Sequence, residues 1–336
     1  MIEFFKEPNI DWMGKAKYFY AVSALLLLAG WVSIFAKGGL YYGIDFKGGT
    51  NVDVQFAQPP NIDNLRSALA ARGLGNSEIQ SISDIASGTR SEVQIFVGQK
   101  DLSDEARDSS KAQVVDALNA AYGSGGFTVR GAEIVGAKVG AELRRQAIFV
   151  TLYALGGMLL YIAFRFEWVF GAAAVLAVFH DVLITLGLFS LLHFEISLTV
   201  IAALLTLVGY SMNDTIVIFD RIRENNRLLR KEPFADVVNK SINQTLSRTI
   251  LTSGLTFLTV LVLFLMGGQV LRAFSFALVV GIVVGTYSSF GIAAPLVVWW
   301  HGWKDQGAAA GTGPAAGNKP RSGETATTRL APAGRR

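Results

Sequence analysis

The 336-residue chain has no cysteine, only three histidines and few charges, with Asp, Glu, Lys and Arg making up 17% of it. Without cysteine there can be no disulfide, no thiol chemistry and no cysteine-type zinc site. Soluble globular proteins carry roughly 25% charge, so the shortage argues against a soluble enzyme. No Gly-x-Ser-x-Gly elbow accompanies the three histidines, which disfavours a Ser-His-Asp hydrolase. Neither a Walker A loop nor a Gly-x-Gly-x-x-Gly loop is found, so ATP is not expected to bind here. The net charge of +4 is too small, and too confined to loops, to suggest nucleic-acid binding. No cofactor and no metal are expected.

What the chain does have is apolar length: 51% of its residues are hydrophobic, gathered in runs. Six runs stand out, at residues 18–36, 147–164, 168–192, 196–219, 249–266 and 273–300. A membrane-crossing helix needs about 20 apolar residues, and each run meets that need. The first run is full length, with no small-residue cleavage site before Lys37, so it reads as a span and not as a signal peptide. Arg221, Arg223, Arg227, Arg230, Lys231, Lys240 and Arg248 crowd the loop between runs four and five, whereas 193–197 has no Lys or Arg. The positive-inside rule then puts both termini in the cytoplasm, with Lys6, Lys15 and Lys17 before the first span and Trp299, Trp300, Trp303 and Lys304 after the last.

Residues 37–146 are thereby placed outside. Alternation over 51–57 (Val52, Val54, Phe56) gives a strand, and Leu65, Ala68 and Leu69 give a helix over 62–72. Strands over 77–85 and 92–97 flank a Ser-Gly-Thr turn. A helix after Asp101 carries Val114, Val115, Leu118 and Tyr122, with Asp104 and Glu105 in its first turn, and 127–135 is a last strand. The order βαββαβ is that of a ferredoxin-like α+β domain. The expected plan is a cytoplasmic N-terminus (1–17), a first span (18–36), this external domain (37–146), five more spans (147–303) and a disordered tail (304–336), which is rich in Gly, Ala, Pro and Thr.

Acidic groups inside spans are costly, about 2.5–3.5 kcal/mol at a helix centre on insertion scales, and so are informative. Asp214 lies in run four, seven residues before Arg221 and so roughly 10 Å from the cytoplasmic boundary. Tyr210, Ser211, Asn213 and Thr215 make a polar notch around it. Arg248, at the start of run five, is the expected counter-charge, with Thr249, Thr252, Ser253 and Thr256 forming a hydroxyl stripe above it. The notch reads either as a protonatable carboxylate with its relay or as an ion pair pinning two helices. His180 and Asp181 in run three form a second candidate, for a relay or for packing. Two buried aspartates also raise an intramembrane aspartyl protease, but its Gly-x-Gly-Asp signature is absent before Asp214. Gly281-Ile-Val-Val-Gly285 is a small-xxx-small pattern suited to close helix packing, and Pro295 is expected to bend the last span.

After the first span comes Tyr42-Gly-Ile-Asp-Phe-Lys-Gly-Gly-Thr50, whose Gly43, Gly48 and Gly49 permit tight turns and whose Asp45 and Thr50 can accept from or donate to nearby backbone; Phe46 sits among them. This stretch resembles the one that follows the first span in the SecD/SecF family of the bacterial Sec export machinery. Val208-Gly-Tyr-Ser-Met-Asn-Asp-Thr-Ile-Val-Ile-Phe-Asp-Arg-Ile-Arg-Glu224 resembles the span-four motif of that family's SecF branch, and Ser241-Ile-Asn-Gln-Thr-Leu-Ser-Arg-Thr249 its span-five start. The resemblance covers about residues 16–303. It implies half of an RND-type bundle in the bacterial inner membrane, with 37–146 in the periplasm. It implies SecD and the SecYEG channel as partners, admits YajC and YidC, and makes the cargo a preprotein. It also implies that Asp214 and Arg248 serve proton or sodium passage coupled to late-stage translocation, with no covalent chemistry. The competing readings are an RND-type exporter of lipids or small molecules, for which the external insert is small, and a passive scaffold of the translocon.

Overall fold

The computed structural model describes residues 8–82, 92–98, 104–123 and 125–311; Lys6, the Ser-Gly-Thr turn, Asp101 and 312–336 lie outside them. A long helix α1 (Trp12–Ala36) and a single turn α2 (Ile44–Lys47) precede the small domain. That domain runs β1 (Gly49–Phe56), α3 (Ile62–Ala70), β2 (Glu78–Ile82), β3 (Glu92–Val97), α4 (Asp104–Tyr122) and β4 (Phe127–Val135). The chain then forms α5 (Ala137–Arg165), α6 (Trp168–Leu192), α7 (Leu198–Leu228), α8 (Phe234–Met266) and α9 (Gly268–Ser288). A π-turn (Ser289–Ala293) leads into α10 (Ala294–Gly311).

Among the described residues, six helices are long and apolar enough to cross a membrane: α1, α5, α6, α7, α8 and the continuous α9–α10 rod. Large apolar side chains such as Tyr153, Phe164, Leu255 and Met266 stand exposed on them, as suits surfaces that meet lipid and not water. The helices outrun the apolar runs. α1 starts at Trp12, α5 at Ala137 and α8 at Phe234, and α10 continues to Gly311, past residue 304 where the polar tail was expected to begin. Hydropathy marks only the part inside hydrocarbon, whereas backbone hydrogen bonding and caps carry a helix beyond it. The start of α1 shows this: Asp11 caps Gly14 N–H at 2.9 Å, and Asn239 of α8 accepts from Trp12 N–H (2.9 Å) and Met13 N–H (3.0 Å).

Two close approaches fix the bundle. A Cβ on Gly30 would lie 2.6 Å from Gly187 Cα, so α1 and α6 cross backbone to backbone. Gly281 and Gly285 face Leu207 and Ser211, so the small-xxx-small stripe is spent on packing α9 against α7 within this chain. Pro295 follows the π-turn, where Ala294 N–H reaches back to Ser289 O. Proline cannot donate and its ring crowds the carbonyl four residues earlier, here Gly291, which lies inside the π-turn.

The sheet order is β2-β3-β1-β4 with every neighbouring pair antiparallel, which places β3 between β1 and β2 as in a split βαβ unit. One face is apolar: Val52, Val54 and Phe56 of β1 with Val93, Ile95 and Val97 of β3 bury against Leu65, Leu69, Val114 and Leu118 of the two helices. The other face carries Asn51, Asp53, Gln94 and Glu133 toward the end of the bundle, across a cavity of about 290 Å³ closed by Glu195, Ser197 and Arg272.

Candidate functional site

Asp214 projects from the middle of α7 and is only 3% exposed. Ser253 Oγ of α8 donates to its Oδ2 at 2.7 Å. The side chain of Asn213 also hydrogen-bonds this carboxyl. A carboxylate offers about four acceptor sites, so these two donors leave part of its capacity open. Among the described residues Asp214 and Arg248 form no ion pair within 4.0 Å; Arg248 is exposed and attracts the carboxylate from longer range. Arg248 and Asn213 line a cavity of about 850 Å³ at the arginine-rich end of the bundle, together with Arg165, Asp220 and Arg223. Asp214 thus sits one residue from solvent-accessible space while itself remaining buried.

The hydroxyl stripe divides on inspection. Only Ser253 reaches Asp214. Thr252 donates to Arg248 O (3.0 Å) and Thr256 to Thr252 O (2.9 Å) within their own helix, the usual local alternative for such side chains. Thr249 Oγ1 is buried with no hydrogen-bond partner, one turn from Ser253. Thr215, adjacent to Asp214 in sequence, points elsewhere: its hydroxyl meets Ser289 Oγ of the π-turn at 3.0 Å.

That side of α7 belongs to the second aspartate. Asp181 of α6 is fully buried and accepts from Ser211 Oγ of α7 (2.5 Å) and Ser288 Oγ of α9 (2.8 Å), both on Oδ2. Its Oδ1 lies 2.8 Å from His180 Nδ1, and His180 Nε2 lies 3.4 Å from Tyr287 OH, which reaches Ser23 of α1 at 3.0 Å. Asp181 is therefore the hub of a network joining α1, α6, α7 and α9. Sequence reading found the two acids and Ser211 but missed Tyr287, Ser288 and Ser289; a polar triplet just ahead of a proline in an apolar run was the available signal.

The glycine-rich motif has a mechanical meaning. Asp45 of α2 accepts from the N–H of Leu198, the first residue of α7, at 2.8 Å. Gly43 N–H donates to Ile196 O (2.9 Å) and Ile196 N–H to Tyr41 O (2.8 Å). Phe46 enters the apolar cluster that holds Val200, Ala203 and Leu204 of α7. Gly48 and Gly49 turn the chain into β1 at φ +70° and +141°, and a Cβ on Gly49 would lie 2.6 Å from Val97 O. Thr50 does not make the backbone contact expected of it; it is buried with Oγ1 unpartnered.

Glu195, in the α6–α7 loop, was not singled out by sequence. Its Oε1 accepts from Ile44 N–H at 3.3 Å. Burial pushes its carboxyl above the usual range, the Ile44 bond pulls the other way, and Asp45 and Glu133 add repulsion. Glu133 is raised by burial and by Asp53 and Asp45; Asp53 is raised by burial and Glu92 against a hydrogen bond from Gln94.

Comparison with known proteins places this geometry. The family model described as "Protein export membrane protein SecD/SecF, C-terminal" matches residues 114–303, and "SecD/SecF GG Motif" matches 32–60. A protein translocase subunit SecF from Koribacter versatilis is 45% identical over 94% of this chain and 97% of its own length. A protein translocase subunit SecDF from Thermus thermophilus is 46% identical over 88% of this chain and 39% of its own. The crystal structure of a translocon-associated SecDF from Thermus superposes with a TM-score of 0.77 at 44% identity, covering 88% of this chain. A second SecDF structure, in a super-membrane-facing form, gives 0.65 over 92%. This chain spans about 39% and 41% of those two structures. On the matched length and identity, the chain belongs to the SecD/SecF family of protein-export membrane proteins.

Proposed function

We propose that the chain is the SecF subunit of a Sec translocase in a bacterial inner membrane, with both termini cytoplasmic and residues 37–146 in the periplasm. It pairs with SecD beside the SecYEG channel, where YajC and YidC are further candidate partners, and it helps draw preproteins outward. It does no covalent chemistry. A proton or sodium ion moving through 100 mV supplies about 2.3 kcal/mol. Asp214 receives and releases the ion, Ser253 orients the carboxyl, and Arg248 with Asn213 lines the route to the cytoplasm. Changing the charge on Asp214 alters its attraction to Arg248, and so biases two arrangements of α7 and α8. His180 and Asp181 hold the helices around that pair.

The observation that carries this reading is a buried carboxyl held by one hydroxyl and the Asn213 side chain, next to a water-accessible, arginine-lined cavity. The test is export of a reporter preprotein in cells carrying Asp214→Asn, with copurification checking complex assembly. The expected outcome is normal assembly with lost gradient-driven export. Normal assembly with normal export would leave a passive scaffold as the better reading.

A further inference from the structure

The motif after α1 and the loop before α7 hold each other by reciprocal caps. Asp45 Oδ2 accepts from Leu198 N–H at 2.8 Å, and Glu195 Oε1 accepts from Ile44 N–H at 3.3 Å. Each side chain thus serves the first residue of the helix on the other segment. Between them runs a two-way backbone bridge, Gly43 N–H to Ile196 O and Ile196 N–H to Tyr41 O. α7 already has a cap of its own, since Ser197 Oγ accepts from Val200 N–H. Asp45 is therefore not needed merely to begin the helix. It satisfies a further orphan amide at the positive end of the α7 dipole, where a carboxylate is favoured.

Two features make this clasp a stiff link and not a loose contact. On the domain side, Gly48 and Gly49 lead from α2 straight into β1, and Gly140 at the start of α5 abuts Gly48 N and Asp45 O, at 3.1 and 3.3 Å from an ideal Cβ. The chain's way into the domain and its way out therefore meet at α2. On the bundle side, α7 is one unbroken helix from Leu198 to Leu228 and carries Asp214. At 1.5 Å per residue, Asp214 lies about 24 Å along that rod from the clasp.

From this juxtaposition we propose that the Asp45–Glu195 clasp is the coupling joint of the molecule, with Asp45 the positioning residue that passes movement of α7 to the external domain. The proposal rests on the ion-coupled reading of Asp214. Shifts of α7 produced at Asp214 reach the outer end of the same helix, and the clasp hands them to α2 and β1. An ion can cross without Asp45, but its passage then does no work on the domain. A hydrogen bond to a charged group that is lost from this joint lowers the clasped population by about tenfold or more.

The experiment uses the full complex in inverted membranes and measures preprotein export and ion flux side by side. Asp45→Ala is expected to cut export about tenfold while flux persists. Asp45→Asn keeps an acceptor oxygen and is expected to restore most of the export. Ser197→Ala removes a cap from the same helix end while leaving the Asp45 and Glu195 contacts in place, and is expected to leave the export-to-flux ratio normal. If Asp45→Ala does not accumulate, Gly43→Ala tests the clasp through its Glu195 half and is expected to lower the export-to-flux ratio in the same direction. Its Cβ collides with the Glu195 carboxylate, displacing it from Ile44 while leaving Asp45 intact. Export and flux falling together in Asp45→Ala, a ratio unchanged from wild type, or Ser197→Ala behaving like Asp45→Ala would each overturn the joint. Asp214→Asn separates the two claims: if it loses both export and flux while Asp45→Ala keeps its ratio, only the clasp fails. If Asp214→Asn keeps both, the ion-coupled reading itself fails.

Discussion

Two buried aspartates in one bundle have different surroundings, one tied to several helices and the other to few partners. Asp181 has hydroxyl donors from two other helices and a histidine on its second oxygen. Asp214 has one hydroxyl, the side chain of its neighbour Asn213 and a distant arginine. Interhelical hydrogen bonds in membranes average about 0.6 kcal/mol and reach about 1.7. Asp181→Ala, which orphans several partners, is therefore expected to cost about 2–4 kcal/mol. Asp214→Asn, which keeps an acceptor for Ser253, is expected to stay within about 1 kcal/mol of wild type. Thermal unfolding midpoints of the purified proteins in detergent measure the contrast, and equal midpoints would show that Asp181 is no hub. In sequence both acids are visible, because each interrupts an apolar run. What cannot be read there is which partners converge on each: Ser288 lies 107 residues from Asp181 and Ser253 lies 39 from Asp214. The notch around Asp214 looked like one site, yet Ser211 turns to Asp181 and Thr215 to Ser289, while Ser253, Asn213 and the more distant Arg248 attend Asp214.

At the scale of elements, the apolar runs locate all six spans, since the hydrocarbon core demands length and apolarity and little else. They do not locate the helix crossings. Gly30 and Gly187 are ordinary glycines in sequence, in runs that already contain small residues; only the structure shows their backbones touching. Gly187→Leu is expected to cost about 3 kcal/mol or more by driving α1 off α6, with Ser33–Ser190 and the Lys37 bond to Ser190 O lost along with it. Gly209→Ala provides the contrast. Nothing lies within 4 Å of a Cβ at that position, so the gain in helix propensity, about 1 kcal/mol, is expected to show unopposed. Unfolding of both variants in the same detergent checks the pair. The small α+β domain was more legible, because alternation over β1 and β3 and helical spacing over α3 and α4 each match one period. The open face of its sheet was legible only as polar, with no hint that it faces the bundle.

For the whole molecule, that facing arrangement predicts how the domain answers to the pH around it. The groups that meet there are Asp45 and Lys47 of α2, Asp53 of β1, Glu78 of β2, Glu92 of β3, Arg130 and Glu133 of β4, Glu195 of the α6–α7 loop and Arg272 of α9. Three carboxyls, those of Glu195, Glu133 and Asp53, are raised by burial and by their acidic neighbours. When the domain lifts off they regain solvent and return toward the ordinary carboxylate range. The docked form therefore binds more protons than the lifted form, and by linkage docking strengthens as pH falls and weakens as pH rises through the raised values. This is opposite to a salt bridge, whose depressed carboxyl would be released by acid. Because the chain has no cysteine, a single pair of spin labels can be placed without background, one on β2 and one at the end of α9 that faces the sheet. The distance between them is expected to lengthen as pH is raised from mildly acidic to mildly alkaline. Glu195→Gln keeps an oxygen for Ile44 but removes the charge, so it is expected to hold the domain docked at neutral pH and to flatten the response. A distance that shortens with rising pH, or a Glu195→Gln response as steep as wild type, would place the titrating groups elsewhere.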